Sequence, residues 1–175
     1  EGVAYRTQNR LGGLTSGGGS THNAMEDLAI VKSMVNMTAL SICDPNMIRD
    51  ILNLSMDYPG PMYIRLAQGK KDRQLYEPGT IEFSIGGSVT VRDGKDVTII
   101  AHGEMVGEAL DAAEELKEEG IDVRVIDMYT IKPFDRETVK KAVEETGKII
   151  VWEDHLMSGG LASSIADYFV DEEIR

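Results

Sequence analysis

Apolar positions change period several times along the chain, and each change marks an element. Residues 3–7 read as a short strand. From residue 21 the spacing becomes helical, with Ala24, Met25, Leu28 and Ala29 on one face and Thr21 as N-cap, predicting a helix over 21–34. Residues 35–43, VNMTALSIC, alternate and are rich in β-formers, predicting a strand. Asp44-Pro45 then opens a helix, Asp as cap and Pro at the first helical position, with Ile48, Ile51, Leu52 and Met56 along one face. Tyr58-Pro59-Gly60-Pro61 breaks it. MYIRL, residues 62–66, is a buried strand with Arg65 near its C-terminal end.

Residues 67–87 lose this periodicity and read as a linker with a short strand around 81–85. Beyond it the pattern is cleaner. VTIIA, 97–101, is a buried strand. A helix over 104–119 places Val106, Ala109, Leu110, Ala113 and Leu116 on one face, and Gly120 stops it. A strand over 121–128, a helix over 136–146 between Asp135 and Gly147, a strand over 149–152 and a helix over 161–170 complete the series. Strands alternating with helices of this length predict α/β architecture. We expect two three-layer units with mostly parallel sheets and helices on both faces.

Composition narrows the partners. With 42% hydrophobic and 27% charged residues the chain is globular rather than disordered. A net charge of -12 argues against a nucleic-acid surface and against anionic membranes. Cys43 is the sole cysteine, so no internal disulfide forms, in keeping with a reducing cytoplasm. No apolar run reaches membrane-spanning length, and the N-terminus does not read as a signal peptide. Position 1 is Glu, not Met, which suggests a fragment or a processed product.

The chemistry concentrates in GGLTSGGGSTHNAMEDLAI, residues 12–30. Gly17-Gly18-Gly19 lets the backbone approach a ligand closely, and His22 follows at the helix start, where free N–H groups favour anionic or polar groups. On the residues alone, His22 reads as a histidine that caps or packs. His102 and His155 each follow a buried strand at the usual ligand edge of a parallel sheet, but structural contacts account for both. Three histidines and one cysteine without metal spacing make no zinc site. Gly159-Gly160 fits close helix–strand packing. The acidic run 114–119 reads as a solvated face, and Met34, Met37, Met47 and Met56 as core or interface filler.

In colinear order, the glycine-loop stretch, CDP opening a helix and YPGPMYIRL resemble the second half of the pyrimidine-binding domain of transketolases. GKDVTIIAHGEMVGEALDAAEELKEEGIDVRVIDMYTIKPFD and VWEDHLMSGGLASSIADYF resemble the transketolase C-terminal domain. The resemblance implies a partial pyrimidine-binding domain over 1–75, a linker over 76–87 and a C-terminal domain over 88–175 that ends short of its last strands. It implies thiamine diphosphate and Mg²⁺ held mainly by parts outside this chain. It also implies transfer of a two-carbon ketol unit between sugar phosphates, an N-terminal section or subunit as partner, and a homodimer or heterotetramer. The glutamate that activates the aminopyrimidine lies outside these residues, so the chain alone is expected to be inactive. His22 matches the histidine of the family's G-x-T-H motif and would reach substrate hydroxyls as a catalytic and substrate-binding group. Arg65 matches the arginine that binds the sugar-phosphate terminus, with a strand-end salt bridge as an equal alternative. Arg10 lies near another phosphate contact of the family but reads better as a solvated charge. No residue is assigned to cofactor or metal. One departure stands out: the acidic pair usual in the family's glycine loop is replaced by Gly17 and Gly18, which leaves the donor and acceptor sugars open. A 2-oxo acid dehydrogenase beta subunit, a deoxyxylulose-phosphate synthase or a non-catalytic interaction domain are the alternatives.

Overall fold

The computed structural model describes residues 6–9, 13, 19, 22–66 and 74–174. Arg10, Gly12, Gly17, Gly18 and Thr21, and the expectations attached to them, lie outside the described residues.

Two four-stranded sheets are seen among the described residues. The first runs β1 (Arg6–Asn9), β3 (Met62–Leu66), β2 (Thr38–Ile42), β7 (Thr130–Lys132); β1, β3 and β2 are parallel and β7 is antiparallel to β2. The second runs β4 (Val89–Arg92), β6 (Val123–Asp127), β5 (Val97–Ala101), β8 (Ile149–Trp152), parallel except for β4. Helices α1 (Asp27–Ser33), α2 (Pro45–Asp57), α3 (Met105–Glu118), α4 (Arg136–Thr146) and α5 (Leu161–Asp171) supply the crossovers. The parallel-rich α/β class expected from the pattern is what forms.

Local signals explain the elements that match. The Asp44 carboxylate accepts the Asn46 N–H at 2.6 Å, with Pro45 at the first helical position. Asp135 accepts the Thr138 N–H at 2.9 Å, and Gly147 ends α4 in the left-handed region at φ +65°.

Three expectations are corrected. Helix α1 begins at Asp27, not at 21, because the chain before it is drawn into other bonds: the Ala24 carbonyl accepts the Gly13 N–H at 2.9 Å. Residues 81–85 form no strand. There the Tyr129 hydroxyl accepts the Ser84 N–H and donates to the Ser84 carbonyl, and Phe83 packs edge-on between Tyr76 and Tyr129. The extended segment comes later, as β4. Strand β7 was not foreseen. It carries the chain back from the second sheet to the first, where it pairs with β2.

The core follows the same crossing. Leu28, Ala39 and Tyr63 from the first half pack in one cluster with Ile100, Ile126, Leu161 and Ile165 from the second. Met47 is fully buried, whereas Met34 and Met56 are exposed.

Candidate functional site

Strands β2, β3, β5 and β8 deliver their C-terminal ends to one region where the two sheets meet. Arg65, one residue from the end of β3, is only 5% exposed. Its Nε lies 3.3 Å from Asp27 Oδ2, and its Nη2 donates to the backbone carbonyl of Asp154 at 2.7 Å. Tyr63, on the same strand face, donates its hydroxyl to Asp27 Oδ2 at 2.6 Å. A buried carboxylate–guanidinium pair recovers its desolvation cost only with good geometry and added hydrogen bonds, and Tyr63 and Asp154 provide them. Arg65 is thus held from two directions, by the first residue of α1 and by the segment that follows β8.

Gly13 is seated on this cluster. Gly13 adopts φ +84°, and a Cβ there would fall 2.0 Å from Asp154 Oδ2 and 2.6 Å from Arg65 Nη2. Only glycine fits this close approach. The Gly13 N–H donates to the Ala24 carbonyl, two residues beyond His22. His22 itself is exposed, and its backbone N–H donates to the Gly19 carbonyl at 2.9 Å. The structure therefore places Arg65 inside a buried pair and leaves His22 exposed.

His155 closes the cluster. Its Nδ1 is 2.7 Å from the Leu156 carbonyl, its Nε2 is 3.4 Å from the Ala29 amide nitrogen, and the same Nε2 is 3.8 Å from Asp27 Oδ1. Gly159 and Gly160 pack tightly behind it. A Cβ on Gly159 would sit 2.5 Å from the Ala29 Cβ, and the Gly159 and Gly160 carbonyls both accept from Lys32 Nζ. Burial lowers the Lys32 pKa, opposed by Glu153 and Asp167.

A second constellation has the order of a hydrolytic triad. Ser41 Oγ is 2.9 Å from His102 Nδ1, and His102 Nε2 is 3.4 Å from Glu153 Oε2. Ser41 and His102 are each 1% exposed, so no substrate carbonyl can reach the hydroxyl. Glu153 is also committed elsewhere, accepting the Leu161 and Ala162 N–H groups at the start of α5 at 2.8 and 2.9 Å. Burial holds the His102 pKa below its ordinary value against the pull of Glu153. Burial opposes charge on Glu153, but the His102 bond and the two amides outweigh it and keep that carboxyl low. The group works as a polar strut between β2, β5 and α5.

A third cluster is fully internal. Cys43 Sγ donates to Asp127 Oδ2 at 3.0 Å and the Tyr76 hydroxyl donates to it at 2.8 Å. Burial raises the Asp127 pKa to about 7, partly countered by those two donors. Burial and the Asp127 carboxylate push the Cys43 thiol well up, which makes it a poor nucleophile. Sequence analysis did not single out Asp127; its only signal there is an acid inside an apolar run.

Among the described residues no group of three or more His, Cys, Asp or Glu side chains could hold a metal ion. The resemblance puts the Mg²⁺–diphosphate anchor outside this chain, and the described residues offer no metal-ligand set for it. No helix among them is long and apolar enough to cross a membrane.

Comparison with known proteins follows the same lines. Residues 86–175 match the family described as "Transketolase, C-terminal domain". An apulose-4-phosphate transketolase subunit of Phocaeicola vulgatus is 40% identical over 157 residues, covering 89% of this chain and 50% of that protein. The 6-deoxy-6-sulfo-D-fructose transketolase subunit SqwH of Clostridium sp. (strain MSTE9) is 38% identical, covering 85% of this chain and 46% of that one. A solved structure described as "Split gene transketolase, inactive beta4 tetramer" superposes with a TM-score of 0.87 at 35% identity, covering 95% of this chain and 53% of that chain. The chain spans about half the length of these relatives.

Proposed function

We propose a function on the premise that the chain belongs to the transketolase family, whose C-terminal domain it carries over residues 86–175. It is the C-terminal section of a thiamine diphosphate-dependent transketolase-type transferase that moves a two-carbon ketol unit between sugars. An N-terminal partner section or subunit supplies the Mg²⁺ and diphosphate anchor, and the pair works in the cytoplasm. Residues 1–75 are the partial pyrimidine-binding domain, 76–87 the linker and 88–175 the C-terminal domain.

The observation that supports this reading is the seating of Gly13. Gly13 lies against Arg65 and Asp154, and its N–H donates to the Ala24 carbonyl two residues beyond the exposed His22. In the family assignment His22 contacts substrate hydroxyls near the reacting carbon, where an imidazole can accept or donate a proton near neutral pH. Arg65 receives the anionic end of the sugar through its guanidinium, whose Nε and Nη2 are oriented by Asp27 and the Asp154 carbonyl. When bound, the coenzyme supplies carbanion-stabilising chemistry, and the protein's share is binding and orientation.

The relatives support a split enzyme. Two are named as subunits of transketolases, and the solved structure is described as an inactive beta4 tetramer. By analogy the chain associates with copies of itself and becomes active in a heterotetramer with its partner. A second reading has a specific support: 1-deoxy-D-xylulose-5-phosphate synthase of Heliobacterium modesticaldum is 33% identical over 94% of this chain. A donor panel on the complex copurified with the adjacent gene product separates the two. Transfer from ketoses and hydroxypyruvate supports the transketolase reading. Use of pyruvate with release of CO₂, without ketol transfer, replaces it with the synthase reading.

A further inference from the structure

Asp154 and His155 follow β8 of the second sheet, yet both act on the wall built by β3 and α1. The Leu156 carbonyl can only accept, so His155 Nδ1 carries the proton and Nε2 presents its lone pair. That lone pair faces the Ala29 amide, the third helical residue of α1 and the one an N-cap side chain ordinarily serves. Glu26, at the N-cap position, makes no side-chain cap bond. The segment 155–160 thus restrains α1 at Ala29 and again at Lys32. Asp27, two residues before Ala29, is the carboxylate that sets the plane of the Arg65 guanidinium.

We infer that His155 is a positioning residue for the transfer reaction: by holding the first turn of α1 it fixes Asp27, and through Asp27 the orientation of Arg65 toward the anionic end of the substrate. This rests on the transketolase reading above. It gives the C-terminal unit a share in substrate recognition.

The test compares His155→Ala and His155→Gln in the complex with the N-terminal partner, with D-fructose 6-phosphate and with hydroxypyruvate, a donor that has no phosphate. Gln can place an acceptor near the position of Nε2. His155→Ala is expected to raise KM for the phosphorylated donor about fivefold, the worth of roughly one hydrogen bond. KM and kcat for hydroxypyruvate stay unchanged, and His155→Gln restores the loss. Equal effects on both donors, or no rescue by Gln, would reduce His155 to a folding role and overturn the inference. Amide exchange in the chain without its partner gives a readout that needs no activity. The Ala29 amide should exchange faster in His155→Ala and at the original rate in His155→Gln. No change in exchange overturns the positioning role even if the complex is active. Altered exchange in a complex whose wild type transfers a ketol unit from no donor of the ketose and hydroxypyruvate panel refutes the transketolase reading instead.

Discussion

Asp127→Asn should remove the pH dependence of stability that this one side chain creates. The carboxyl has an ordinary value of 3.8 and is raised by burial to about 7 in the folded chain. Folding therefore takes up a proton between those values. The stability it contributes is complete below pH ~4, declines as the pH rises toward 7, and is lost above that. At 1.36 kcal/mol for each tenfold change in proton activity, the whole decline is about 4 kcal/mol. Asparagine keeps an oxygen that can accept from Cys43 and Tyr76, and it cannot ionise. It also sets an NH₂ where Asp127 Oδ1 has no hydrogen-bond partner, a pH-independent cost of about 1–3 kcal/mol. The wild-type-minus-variant stability is therefore expected to fall by about 3 kcal/mol between pH 5 and pH 8, leaving the variant the more stable protein at pH 8. Urea unfolding of both proteins at the two pH values reads this directly, because the histidines and surface carboxylates are common to both and cancel in the difference. A wild-type-minus-variant difference that stays within ~0.5 kcal/mol between pH 5 and 8 would show that Asp127 is already ionised throughout, and the reasoning fails.

Three further outcomes follow. In the reconstituted enzyme, His22→Ala should lower the rate of transfer more than it lowers coenzyme affinity; the reverse, seen by coenzyme titration, would mean that the imidazole is misassigned. Gly13→Ala meets both a left-handed backbone and the Asp154 carboxylate. It should lower the urea midpoint by an amount equivalent to about 1–3 kcal/mol, with surface glycine Gly19→Ala as the comparison that does not clash. Arg65→Leu leaves Asp27 buried without its cation and should cost about 3–5 kcal/mol, while Arg65→Leu combined with Asp27→Leu should recover much of it. Equal stability of the single and double variants would show that the pair is not coupled.

Elements written in contiguous residues were legible in the sequence. Asp44-Pro45 and the Asp135–Gly147 frame announce helices through local hydrogen bonds, and VTIIA announces a strand by its unbroken apolar run. Strand β7 was not, because TIK becomes a strand only by meeting β2, some ninety residues earlier in the chain. The strand expected at 81–85 failed for the same reason: Tyr129 captures the Ser84 backbone and leaves nothing for a ladder. At the candidate site, Arg65 and His22 were singled out by motif likeness alone. The partners that orient Arg65 were hidden. Asp27 looked like one more helical acid, and Asp154 contributes a carbonyl, which no side-chain pattern can reveal.

The central claim is that these residues form one side of an active site completed by another polypeptide. Ketol transfer measured with thiamine diphosphate and Mg²⁺, first with the purified chain and then after adding the N-terminal partner, tests it most directly. No turnover alone and clear turnover on mixing is the predicted result; turnover by the chain on its own would contradict it.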